Sequence, residues 1–170
     1  IRMDQSGHLD CSKGVLRLEV PTGKVDRSEG DIHPYGNPHY WLDPLNAVVM
    51  AQNIRDRLAE LDPPHAAEYG EREKAFEEKI YRSLYGEKLV QRLGGPTLAR
   101  MDKDGALWRY LGEHSLQGEI GGWMGALAPY RGAEIITYHK SWPYFLNRFG
   151  LNEADTLEPK PGIPTSTGHI

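Results

Sequence analysis

Two histidines stand within well-marked segments of this chain: His39 in Gly36-Asn37-Pro38-His39-Tyr40-Trp41-Leu42-Asp43-Pro44, and His139 in Ile136-Thr137-Tyr138-His139-Lys140-Ser141-Trp142. A neutral imidazole is the commonest protein ligand for a divalent metal near neutral pH, so metal ligation is the first chemistry to consider. His139 directly follows the apolar run 133–138, which reads as a strand. In an open α/β sheet, the carboxyl ends of parallel strands border the crevice where ligands sit. His39 lies between a proline and a helix start, which makes a rigid mount for a ligand. The plainer alternative for either residue is a ring that packs under an aromatic neighbour and bonds to a carbonyl.

Further polar groups surround these two. His33, six residues before His39, is a candidate third ligand or a group supporting one. Asp43 is placed to cap a helix, and its carboxylate is also a candidate to hold the ring of a ligand histidine. Asp31 is a lesser candidate of the same kind. Trp41 beside His39, and Tyr138 and Ser141 beside His139, are expected to support the ligands; Lys140, next to His139, should point away from any cation. His8, His65 and His114 stand among polar residues and are expected to be exposed, and His169 falls at the last positions of the chain.

The elements that must position these residues follow from local pattern. Residues 15–20 read as a strand bounded by Gly14 and Pro21, and residues 23–38 as a polar loop leading into the His39 segment. Asp43-Pro44 starts a helix, because Asp accepts from the free amides of the first turn and Pro at the first helical position loses no hydrogen bond. Ala47, Met50, Ala51, Ile54, Leu58 and Leu61 then recur at helical spacing. Asp62-Pro63 repeats the start signal, and Tyr69, Phe76, Ile80 and Leu84 mark a stripe on a second, heavily charged helix. Between 85 and 129 glycines cut the chain into pieces, of which 96–101, 106–113 and 121–127 read as short helices, with Trp108, Tyr110, Trp123 and Met124 needing burial. After the strand at 133–138, Ser141 is expected to cap a short helix ending at Gly150; residues 152–157 begin another strand and 158–164 run extended.

Composition excludes several classes. The 170 residues carry a formal net charge of −4 with acidic and basic residues interspersed, so there is no basic stripe of the kind a nucleic-acid groove requires. No run approaches the ~20 apolar residues that span a bilayer, so no membrane insertion is expected. A hydrophobic content of 39% is compatible with a folded core. The single cysteine, Cys11, has no partner for a disulfide or a thiolate metal site and is expected to be buried or half-buried and inert.

Residues 36–63, GNPHYWLDPLNAVVMAQNIRDRLAELDP, and 138–151, YHKSWPYFLNRFGL, resemble in order and spacing two signature segments of the zinc/manganese solute-binding proteins of ABC importers, the TroA-like cluster A-I family. The resemblance runs from about Leu16 onward. It implies an α/β fold, part of a two-lobed metal-binding protein whose parallel-sheet lobes are joined by a long helix. On that plan residues 1–61 are the C-terminal part of the N-lobe, 62–84 the connecting helix, 85–129 a helical insertion, and 130–170 the start of the C-lobe. The insertion is read as a structural subdomain, a lid and a partner-binding surface being the alternatives.

By the same resemblance His39 and His139 are metal ligands, and the bound cation is cargo for an ABC permease outside the cytoplasm, in a periplasmic or extracytoplasmic location. The family supplies four ligands. One comes from a loop ahead of Ile1 and one from an acidic residue beyond Ile170, which implies a fragment whose remaining ligands come from elsewhere, a homodimer or swapped dimer being one source. The family's ligand set does not use the position of His33. For imidazoles with a carboxylate, Zn²⁺ is favoured over Mn²⁺, which prefers more oxygen. A closed four-coordinate site binds without catalysis, so the resemblance implies no enzyme. Two other readings are a zinc hydrolase, which requires a placed carboxylate base that no His-Glu-x-x-His pattern supplies, and a metal-free interaction module.

Overall fold

The computed structural model describes residues 5, 7–23 and 33–158. Asp31, His169 and most of the extended segment expected at 158–164 lie outside the described residues. The chain divides into two compact units, one of Ile1–Gly14 with Ala47–Pro129 and the other of Val15–Asn46 with Tyr130–Ile170. The division falls inside the first helix.

That helix, α1 (Pro44–Leu61), starts as the Asp-Pro pair dictates: Asp43 Oδ1 accepts the Leu45 amide at 2.9 Å and the Asp43 carbonyl accepts from Asn46 at 3.0 Å. Its apolar stripe is less buried than its spacing suggests. Val48 is buried, but Ile54, Leu58 and Leu61 are exposed. Periodicity specifies a helix and a face, and says nothing of whether a partner covers that face.

The first unit is a small helical core built on α2 (Ala66–Tyr85), with α3 (Glu87–Leu93), α4 (Gly95–Lys103), α5 (Leu107–Glu113) and α6 (Gly122–Leu127). The three short helices expected from the glycine-cut pieces are present as α4, α5 and α6, and α3 adds a fourth. Tyr81, Leu84, Tyr85, Leu89, Leu98 and Leu111 are among the side chains buried in it. The inward face of α2 is therefore Glu73, Tyr81, Leu84 and Tyr85, and Phe76, expected in the stripe, is exposed. Met124 is buried, whereas Trp123 is exposed and does not find the cover its size suggests.

Gly86 lets α6 approach the end of α2. Its φ is +84°, and a Cβ there would stand 2.7 Å from Gly121 Cα, where the Gly121 amide donates to the Tyr85 carbonyl at 2.9 Å. A side chain would be both strained and blocked.

The second unit holds a two-stranded parallel sheet, β1 (Glu134–Thr137) and β2 (Asn152–Thr156), joined by α7 (Pro143–Phe149). The register pairs Glu134 with Asn152 and Thr137 with Thr156, with a shift between Ile135 and Ile136. Gly150 ends α7 in the left-handed conformation at φ +67°, and its amide bonds to the Leu146 carbonyl. Trp142 holds the capping position before Pro143 and makes no side-chain cap, so Ser141 does not cap the helix. Its amide instead donates to the His139 carbonyl at 2.7 Å.

Residues 15–20 form no strand. Their alternation of apolar and polar residues finds no ladder: the Leu18 amide donates to Tyr144 Oη at 3.0 Å, the Leu18 carbonyl accepts from the Asn37 amide at 2.9 Å, and Glu19 has φ +54°. Leu16 and Val20 are exposed. A positive φ at a non-glycine interrupts an extended run.

Candidate metal centre

Both histidine segments fall in the second unit. His139 stands two residues beyond the last residue of β1, at the carboxyl end of a parallel strand as its sequence position suggested. The pairing continues past the regular strands, since the Leu157 amide donates to the Thr137 carbonyl and the Glu158 amide to the Tyr138 carbonyl, both at 2.8 Å. The continued register brings Glu158 beside His139. Nδ1 of His139 is shielded from solvent and lies 3.1 Å from Glu158 Oε2, an ion-pair contact whose direction falls short of a hydrogen bond. Tyr138 is exposed and sets its ring edge-on to the His139 imidazole at 4.7 Å between centroids. The exposed Lys140 side chain accompanies a backbone carbonyl that faces the other segment.

His39 follows a turn and precedes the 3-10 turn Tyr40–Leu42. Its backbone N–H donates to Asn37 Oδ1 at 2.9 Å, and its ring Nδ1 is also 2.9 Å from that oxygen. Asn37 Nδ2 donates to Glu19 Oε2 and to the Lys140 carbonyl, each at 2.8 Å. One side chain, 9% exposed, thus joins the His39 ring to the backbone next to His139. Buried Tyr144 reinforces the link by donating to the Asn37 carbonyl at 3.0 Å while accepting from Leu18. Trp41 is exposed, with its ring 5.3 Å from His39 and tilted at 54°.

Asp43 does not hold a histidine ring. Its carboxylate is taken by Arg148, with Nε at 2.8 Å and Nη2 at 2.7 Å, and by the Leu45 amide. Asn37, which the sequence reading passed over, occupies the supporting role expected of Asp43. His33 opens the turn at 33–36, its carbonyl accepting the Gly36 amide at 3.0 Å. Among the described residues, no group of three or more His, Cys, Asp or Glu side chains gathers as a cation cluster. Away from the site, His65 and His114 are exposed as expected, whereas His8 is half-buried.

The missed residues had signals. Asn37 lies two positions before His39, where an Asn side chain commonly bonds to the backbone two residues on. Glu158 follows from strand register, since two parallel strands ending at 137 and 156 set 139 opposite 158.

A family model described as zinc-uptake complex component A, periplasmic, matches residues 2–83. The high-affinity zinc uptake system protein ZnuA of Brucella abortus (strain 2308) is 31% identical over 123 residues, 72% of this chain. Over these stretches the chain is similar to metal-binding proteins of ABC importers. The matched stretch spans 26% of the Brucella protein's length. The iron-binding protein YfeA of Yersinia pestis is 44% identical over 52 residues, 31% of this chain and 17% of YfeA. A crystal structure of ZnuA shares the fold, with a TM-score of 0.57 at 22% identity over 95% of this chain and 44% of that one. The helix-rich α/β architecture with a small parallel sheet agrees with that likeness.

Proposed function

We propose that this chain contributes His39 and His139 to a site that binds a divalent transition metal, zinc in preference to manganese, as cargo for the membrane permease of an ABC importer on the outer side of the cytoplasmic membrane. The observation that supports this most is the Asn37 side chain, bonded at once to the His39 ring and to the Lys140 carbonyl beside His139. Two imidazoles separated by a hundred positions are tied into one small region by a buried amide. Nitrogen donors with a nearby carboxylate suit borderline-soft zinc, and the similarity to the iron-binding protein YfeA makes ferrous iron a competitor to test alongside manganese. The remaining ligands come from groups other than these two, a second copy of the chain being one source. In this reading α2 is the connecting helix, residues 85–129 are a structural insertion packed on it, and the site releases its ion unchanged without catalysing a reaction.

Thermal melting with and without Zn²⁺, Mn²⁺ and Fe²⁺ tests it, because an ion that binds only the native state raises stability by RT ln(1 + [L]/Kd). The expected result is a stabilisation largest for zinc that His39→Ala and His139→Ala each reduce. Equal responses from the parent and both variants would contradict it.

A further inference from the structure

Asn37 carries two donors and one acceptor, and its surroundings fix which end faces which partner. The two groups near Nδ2, the Glu19 carboxylate and the Lys140 carbonyl, are acceptors only, and the group near Oδ1 that has no choice of role, the His39 backbone N–H, is a donor. Turning the amide over would set oxygen against two oxygens and an NH₂ against an N–H. The acceptor therefore faces His39, and with it the ring contact at 2.9 Å is satisfied only when Nδ1 carries the hydrogen. That leaves Nε2 with its lone pair.

We propose that Asn37 is a positioning residue that holds His39 in the Nδ1–H tautomer, so that Nε2 is the metal-binding nitrogen, and that Glu158 imposes the same choice on His139. The metal half of this statement rests on the reading of the site given above; the tautomer half does not. Glu158 is an acceptor-only carboxylate whose oxygen lies 3.1 Å from a solvent-shielded Nδ1, and its side chain is only 13% exposed. Both rings then keep Nε2 unprotonated, His39 through its hydrogen bond to Asn37, which raises its basicity as a ligand, and His139 through the charge of the carboxylate beside Nδ1. Asn37 adds a second effect through the Lys140 carbonyl, by fixing the backbone of the His139 segment relative to His39.

The test is long-range ¹H–¹⁵N correlation of the histidine rings in the ion-free protein, at a pH where imidazole is neutral, followed by zinc titration. His39 and His139 should each show a protonated Nδ1 and an unprotonated Nε2, and zinc should shift Nε2. In Asn37→Leu the His39 pattern should lose its Nδ1–H preference while His139, backed by Glu158, keeps it, and zinc affinity should fall 10–100-fold. Asn37→Asp, which retains an acceptor toward His39, should keep the Nδ1–H form even where the link to Lys140 is lost. Should Asn37→Leu not fold, the parent spectrum and Asn37→Asp still decide the matter. An Nε2–H tautomer at His39 in the parent overturns the proposal, as does an Asn37→Leu variant with unchanged tautomer and unchanged affinity. A parent that shows the predicted tautomers and binds no zinc sinks the metal reading and leaves the positioning role standing.

Discussion

Asp43 and Arg148, 105 positions apart, form a two-pronged ion pair at 2.8 and 2.7 Å with both side chains nearly out of solvent, 8% and 11% exposed. The pair ties the start of α1 to α7, and so fixes the backbone four residues after His39 to the helix that follows His139. Removing one partner of such a pair leaves an uncompensated buried charge, which costs about 3–5 kcal/mol. Arg148→Met should destabilise the protein by roughly that amount in urea unfolding. Asp43→Asn keeps an oxygen for the Leu45 amide and for Arg148 Nε, so the extra loss in Asp43→Ala reads the helix cap, about 1 kcal/mol, together with that remaining bond. An Arg148→Met loss below about 1 kcal/mol would show the pair to be energetically idle.

Tyr144 supplies the second tie. Its hydroxyl donates to the Asn37 carbonyl and accepts from the Leu18 amide, each at 3.0 Å, and the residue is buried. Tyr144→Phe strands one donor and one acceptor, so stability should fall by about 1–3 kcal/mol, measured by the same unfolding curves. A neutral effect would mean that water replaces the hydroxyl in that position.

Glu73 gives the first unit a dependence on pH. Burial, then hydrogen bonding to Glu77 and the charge of Glu77, push its carboxyl from 4.5 up to about 7, against the opposing pull of Arg55, whose Nη1 is 3.7 Å away. Lys74 opposes the shift as well, and Gln52 Nε2 holds Glu77 at 2.6 Å. A folded-state value above the unfolded one means that the native state binds the proton more tightly. The contribution is therefore full below about pH 4.5 and is lost as pH rises through about 7. Stability should decline across that window, and Glu73→Gln should flatten the decline. A parent that gains stability over the same interval would contradict the assignment.

Much of the fold was legible because it rests on local signals. Asp43-Pro44 marked the start of α1, and the apolar run before His139 and the glycine at 150 marked β1 and the end of α7. What failed depended on partners. Residues 15–20 alternate like a strand but meet a tyrosine hydroxyl and one loop amide in place of a neighbouring strand. Ile54, Leu58 and Leu61 keep helical spacing yet stay exposed. The same distinction governs the site. His39 and His139 were marked by their segments, whereas the supporting roles of Asn37 and Glu158 needed the fold, because they rest on a hydrogen bond from Asn37 to Lys140 and on an ion-pair contact between Glu158 and His139.

Calorimetric zinc titration of the parent, His39→Ala, His139→Ala and the double variant tests the central claim most directly. Two rings that share one ion are coupled, so either single variant should lose most of the affinity and the double variant little more. Losses that simply add, with each single variant keeping a zinc-binding event of its own, would show that the two histidines do not hold the same metal.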